Sequence, residues 1–292
     1  MHNTATLDKA AVLAERLGEI VAGIPNNIGS GFSANHFSEE MFDGRMDPLL
    51  MVDHFVMTAP TFDPHLHAGI SAVTAMFEDS EGAFLNRDTL GHNIALKGGD
   101  LYWLTAAGGA VHEEKPEEGA RIHALQIFVN LPARLKKELP RSLHVEAKDV
   151  PVLTGEKFRA RVVLGRSGEV VGAEGTPEEM TMLDGFVQTD GCFSHLLPSG
   201  RQAWIYAVAG ALTLRVGNSH RALTAGTATT VAAGPETETV IESSDGAHFV
   251  LLAAKPVHEH FVKHGPLVMS NADEVRQTLA SHASGRFGRI EN

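Results

Sequence analysis

The chain has 292 residues, enough for one large or two medium domains, and its 43% hydrophobic and 21% charged residues are the balance of an ordinary soluble globular protein. A formal charge of −12 argues against a broad electrostatic grip on nucleic acid, so no direct nucleic-acid partner is expected. The single cysteine, Cys192, allows no intrachain disulfide, and no apolar run approaches the roughly 20 residues of a helical membrane span, so no membrane partner is expected either.

The segment from Met1 to Leu17 lacks a secretory apolar core, which makes a cytoplasmic location the expectation. Leu7, Ala11, Leu13, Leu17, Ile20 and Val21 approximate one helical face and predict a short N-terminal helix from Leu7 to Ile24, ended by Pro25 and the Asn26-Asn27 pair. The polar stretch from Gly29 to Gly44 reads as loop, so residues 1–47 form a helix and lead-in segment. From Pro48 onward the pattern changes to short strands: Leu49 to Phe55, Ile70 to Phe77, Ala83 to Arg87, His92 to Leu96, Asp100 to Thr105, Val111 to Glu114 and Ile122 to Val129. Gly82, Gly91, Gly98-Gly99, Gly108-Gly109 and Gly119 punctuate them. Short strands with Gly-rich turns and no long helix between them indicate an antiparallel barrel or jelly roll. Gly108-Gly109 fits a turn better than a phosphate loop, because no helix follows it.

Leu131 to Pro140 is a short polar connection, and strands are again expected over Val145 to Val152 and Phe158 to Val163. A further series begins near Met180 and continues through Gln202 to Val208, Ala211 to Val216, Thr227 to Val231, Glu238 to Ile241 and His248 to Ala253. Asp273 to Ser281 is expected to be a C-terminal helix capped by Asn271. The fold class is therefore all-β with two barrels of related architecture, the first over residues 48–140 and the second over 141–292.

Chemistry concentrates in Asp63-Pro64-His65-Leu66-His67-Ala68-Gly69 and Val111-His112-Glu113-Glu114. With a side-chain period of two, His65 and His67 leave one face of a strand, as do His112 and Glu114 on another. Two such facing pairs make a four-ligand metal site. Glu113 alternates away from it, toward solvent. His123 and Gln126 are candidates for the pocket wall or for the core. His54 reads as a buried histidine, Trp103, Phe55 and Met76 as core, and Asp63, Asp100 or backbone carbonyls as supports for the ligating imidazoles. In the second half the nearest equivalent of the histidine pair is the single His195, with no carboxylate two residues away, and His248 stands alone beside Phe249, so no metal is expected there.

Pro64-His65-Leu66-His67-Ala68-Gly69, Asn86-Arg87-Asp88-Thr89-Leu90-Gly91, Gly99 to Ala106, Val111 to Pro116, Leu125 to Pro132, His264 to Ser270 and Gly285-Arg286-Phe287-Gly288 together resemble the ordered signature stretches of the pirin family. The resemblance runs from about Pro48 to the C-terminus. It implies a bicupin of the cupin superfamily, two stacked jelly-roll β-barrels, with a metal, usually iron, in the N-terminal one. It maps the family's ligands onto His65, His67, His112 and Glu114. A shell of three His and one Glu suits Fe(II), with Mn, Ni, Co, Cu or Zn as substitutes. Family members carry a basic residue where this chain has Ala68 and a Glu where it has Ser71; both departures are expected to alter the metal's surroundings. The N-terminal helix is also longer than a typical family start.

The resemblance implies two functions. One is a dioxygenase of the quercetin 2,3-dioxygenase type acting with O2 on a flavonol or a similar enolic or phenolic substrate, with Glu114 as the catalytic group that assists deprotonation. The alternative is a non-enzymatic, iron-dependent redox sensor that binds a protein partner.

Overall fold

The computed structural model describes residues 16–290. A seven-stranded antiparallel sheet runs in the order Arg141–Val145, Leu101–Thr105, Ile70–Met76, Ile122–Asn130, Leu49–Met57, Phe32–Ser38, Ile24–Ile28. A four-stranded sheet, His65–His67, Ala110–Pro116, Phe84–Asp88, Asn93–Leu96, faces it and completes the first barrel. The second barrel is a ten-stranded system built on Phe158–Leu164, Met180–Val187, Gln202–Val216 and Ala247–Ala254. The all-β, two-barrel architecture is thus as expected, and the strands predicted between Leu49 and Val129 lie within a residue or two of their predicted bounds.

Alternation explains how the barrels stack. On Leu49–Met57, Met51, Asp53, Phe55 and Met57 point into the first barrel, while Val52 and His54 point outward. The outward face, with Phe37, Trp103, Leu125 and Ile127, packs on Met182, Trp204, Tyr206, Val250 and Leu252 of the second barrel in one apolar cluster. A further cluster around Phe193, Leu214, Leu251 and Phe249 fills the second barrel itself.

A buried charged trio crosses this junction. Asp184 accepts from His248 Nε2 at 2.6 Å and from Arg161 at 3.0 Å, and Arg161 also donates to the Gly99 carbonyl of the first barrel. Burial alone would raise the Asp184 carboxyl, but the His248 hydrogen bond and the charges of His248 and Arg161 outweigh it and hold the pKa below the ordinary value. A depressed folded-state pKa stabilises the fold above the unfolded pKa of about 3.9, and that contribution is lost as the pH falls through the lower folded value. Asp184→Leu takes from the buried Arg161 its nearest carboxylate, leaving the Gly99 carbonyl and Glu78 at 3.8 Å, so it is expected to destabilise by about 3–5 kcal/mol at pH 7. Urea unfolding checks this, and the gap between parent and variant should narrow below about pH 4.

Several expectations are corrected. The predicted helix from Leu7 to Ile24 lies outside the described residues up to 15, and its remainder is extended: Leu17 and Val21–Ala22 pair with the Thr227–Val231 strand of the second barrel, and Ile24–Ile28 joins the first sheet. The edge of an existing sheet supplies backbone partners that outweigh a weak helical periodicity. The loop predicted over Gly29 to Gly44 contains the strand Phe32–Ser38 and a short 3-10 turn, because Phe32 and Phe37 bury on opposite faces despite polar neighbours. Val145 to Val152 is broken by a 3-10 turn at Ala147–Asp149, and Gln202–Val216 is one strand whose register shifts between Ala207 and Ala209.

After the second barrel the chain returns to the first. Val262–His264 and Leu267–Met269 form a hairpin, Val268 N–H donates to the Ala68 carbonyl at 2.9 Å, and Leu267 bridges Ala68. The helix Ala272–Ala283 follows, with Asn271 Oδ1 accepting from the Glu274 N–H at 3.0 Å as expected of its cap.

Candidate metal centre

Two antiparallel strands deliver the histidines. His65–His67 pairs with Ala110–Pro116 so that His112 lies directly opposite His65, and alternation turns His65, His67 and His112 to one side. Their ring centroids form a near-equilateral triangle of 4.8, 4.8 and 4.7 Å. One ligand nitrogen from each lies within 4.8 Å of the others.

The donor set fits a cation. His67 and His112 are buried, and their Nε2 atoms approach to 2.9 Å. Burial first, then the neighbouring imidazoles, pushes His67 well below its ordinary pKa; burial, then His65, pushes His112 down to about 3. Both rings are therefore neutral at pH 7. At 2.9 Å one Nε2–H can donate to the other ring, while both Nδ1 atoms are buried without a hydrogen-bond partner among the described residues, so the polar requirements of the two rings are only partly met within the protein. His65 Nδ1 donates to the Asp63 carbonyl at 2.9 Å, which leaves its Nε2 as the free lone pair. Asp63 thus supports His65 through its backbone. Asp100 lies elsewhere, holding Lys97, His144 and the Ala147 N–H.

Glu114 stands on the same cavity wall but outside the histidine cluster. Its Oε1 accepts from Thr74 Oγ1 at 2.6 Å, and burial pushes its pKa up to about 7. Thr74 Oγ1 also lies 3.0 Å from Gln126 Oε1, so its single hydrogen serves only one of these two acceptors at a time.

The triad opens on a cavity of about 230 Å³ walled by Phe32, Phe55, Phe62, Phe84, Phe128, Met51 and Met57, with Asn26, Asp53 and Gln126 as its other polar groups. Gln126 therefore lines the cavity, whereas His123 faces the second barrel, its Nε2 2.6 Å from His54. His54 also contacts the Tyr206 hydroxyl at 2.6 Å. Phe55 is buried in the core of the first barrel, as expected, and its ring also lines the cavity. Glu113 does alternate away but is buried under Arg87, whose Nε donates to it at 3.0 Å. Neither Ala68 nor Ser71 lines the cavity: Ala68 packs among Leu66, Val111, Leu267 and Met269, and the buried Ser71 reaches Thr105 Oγ1 at 3.5 Å. In the second barrel, His195 is buried with Nδ1 3.1 Å from Ser167 Oγ and belongs to no such cluster among the described residues.

One supporting residue escapes sequence reasoning. Lys136, in the connection after Leu131, is fully buried, and its Nζ donates to the Gly69 carbonyl at 2.9 Å, Asn130 Oδ1 at 2.6 Å and the Val268 carbonyl at 2.8 Å. It ties the turn after His67 to the returning C-terminal strand. Gly69 has φ +74, and a Cβ there would sit 1.8 Å from the Val268 carbonyl oxygen, so only glycine allows this approach. Burial pushes Lys136 down to about 8.

Comparison with known proteins agrees with this geometry. The pirin family model matches residues 26–129, and the model of the pirin C-terminal cupin domain matches 182–288. A Pseudomonas aeruginosa protein provisionally named quercetin 2,3-dioxygenase is 32% identical over 280 residues, covering 91% of this chain and 96% of that one. Human pirin is 26% identical over 247 residues, 83% of each chain. Among solved structures, a quercetin 2,3-dioxygenase from Acinetobacter baumannii superposes with a TM-score of 0.82 at 24% identity, covering 94% of this chain and 98% of that one. A bacterial pirin from Escherichia coli in complex with nickel(II) superposes with a TM-score of 0.61 at 18% identity, covering 82% and 100%.

Proposed function

Since the chain belongs to the pirin family of bicupins, we propose that it is a metal-dependent dioxygenase of the quercetin 2,3-dioxygenase type, acting on a small planar enol or phenol such as a flavonol. One observation carries the reading: three converging imidazoles stand at the polar end of an otherwise aromatic cavity. His65, His67 and His112 would hold the ion, with Glu114 as a fourth, detachable ligand. All-nitrogen and carboxylate donors without thiolate favour Fe(II), and the nickel held by the Escherichia coli pirin makes Ni(II) the first substitute to try.

When bound, the ion would supply the positive charge that acidifies the substrate hydroxyl and the Lewis-acid centre for the reaction with O2. The chain's own groups do the rest. Glu114 Oε2 has no partner among the described residues and accepts the substrate's proton, while Thr74 holds Oε1 and fixes the carboxylate's direction. Phe32, Phe55, Phe84 and Phe128 sandwich the rings and keep water from the carbanion-like enolate. At about 230 Å³ the cavity lies below the roughly 300 Å³ where drug-sized ligand pockets begin, which favours a free aglycone over a glycoside. The named relative and the likeness in fold support the reaction type.

The test is aerobic loss of the flavonol absorption band on mixing with metal-loaded protein. Turnover with Fe(II) or Ni(II) is the expected result; none across Fe, Mn, Ni, Co and Cu would overturn the proposal and leave the regulatory alternative.

A further inference from the structure

A second polar anchor sits in the cavity, on the sheet that faces the histidine strands. Asp53 projects from Leu49–Met57 between Met51 and Phe55, on the inward face of that strand. A carboxylate on an apolar wall is costly unless it is paired. Only one of its oxygens is paired: Oδ1 accepts from Nδ1 of His36, directly opposite on the neighbouring strand, at 2.6 Å. Oδ2 has no partner among the described residues. On the other neighbouring strand the residue opposite Asp53 is Gln126, which also faces the cavity.

The position sets a length. The Asp53 strand lies two places in the sheet from Ile70–Met76, whose Thr74 grips Glu114. Thr74, Gln126 and Asp53 stand opposite one another in one row, and adjacent strands are about 4.8 Å apart, so the Asp53 backbone lies about 10 Å along this wall from that of Thr74, which holds Glu114. A ligand that reaches from Glu114 to Asp53 spans this row, a length on the order of a fused bicycle.

We propose that Asp53, oriented by His36, determines specificity: it accepts a hydrogen bond from a second phenolic hydroxyl at the end of a bicyclic substrate away from the hydroxyl that faces the histidines. The substrate class is thereby narrowed from flavonols in general to those hydroxylated on the distal ring. An analogue with hydrogen or a methyl ether there leaves Asp53 Oδ2 desolvated without a donor, which discriminates more strongly than a missing apolar contact. This inference rests on the flavonol-type reading of the site.

The experiment is an anaerobic titration of the nickel-loaded full chain with 3-hydroxyflavone and with 3,7-dihydroxyflavone, followed by the flavonol absorption band, so that binding is read without turnover. The dihydroxy compound is expected to bind about tenfold more tightly or better, with the ratio falling to near one in Asp53→Ala and shrinking in His36→Ala. A ratio near one in the parent chain overturns the inference while leaving the flavonol reading intact, and needs no variant. A ratio preserved in Asp53→Ala overturns it too. Failure of both flavonols to bind overturns the underlying reading and the inference together.

Discussion

His112→Ala is expected to weaken metal binding by at least about 100-fold, since loss of a ligand should exceed the 10–100-fold typical of losing a residue behind one. The variant retains His65 and His67, two imidazoles from one short strand, with His65 half exposed. The metal dependence of its effect on stability separates a metal centre from a structural histidine cluster. In the metal-free chain His112 is buried, held neutral, and its Nε2 lies 2.9 Å from that of His67, within hydrogen-bond reach, so the substitution costs packing and that contact whether or not metal is added. In the presence of metal the parent gains stability by mass action, about 4 kcal/mol at a thousandfold excess over Kd, and the variant should gain almost none. Thermal melts of both proteins with and without Fe(II) or Ni(II) make the comparison. Equal metal-induced shifts in parent and variant would place the ion elsewhere.

Lys136→Met is expected to lose about 3–5 kcal/mol of stability and to weaken metal binding as well, although Lys136 touches no histidine. Three acceptors, the Gly69 and Val268 carbonyls and Asn130 Oδ1, lose their common donor in a buried site. The Gly69 turn lies two residues after His67, and Val268 belongs to the strand that hydrogen-bonds Ala68, so the chain just after His67 is loosened on two sides while its pairing with Ala110–Pro116 remains. The two readouts are the urea midpoint and the metal Kd measured by competition with a chelator. A variant within about 1 kcal/mol of the parent would mean that water replaces the ammonium, contrary to its full burial.

The histidine cluster was legible in the sequence because strand periodicity is strict: two residues apart is the same face, whatever the tertiary context. The same rule placed Glu114 on the cavity side and Glu113 away from it. It gave Glu113 the wrong environment, since the partner strand brings Arg87 over it, a contact between residues distant in sequence. Ala68 and Ser71 look decisive beside the ligands in one dimension. Ala68 points to the opposite face from His67 and meets the C-terminal segment, so its neighbours come from the far end of the chain. Asp53 with His36, and Lys136 with Gly69 and Val268, were illegible for the same reason. Each is set by sheet order or chain return, which no local pattern encodes. The N-terminal strands were misread because edge pairing supplied by another barrel overrode the local periodicity.

The most direct test of the metal centre is X-ray absorption at the K-edge of the metal in the iron- or nickel-loaded protein. Three histidines on the ion predict imidazole multiple scattering that fits three rings in the parent and two in His112→Ala. A metal bound without imidazole scattering, or a ring count unchanged by the substitution, would contradict the assignment of His65, His67 and His112 as its ligands.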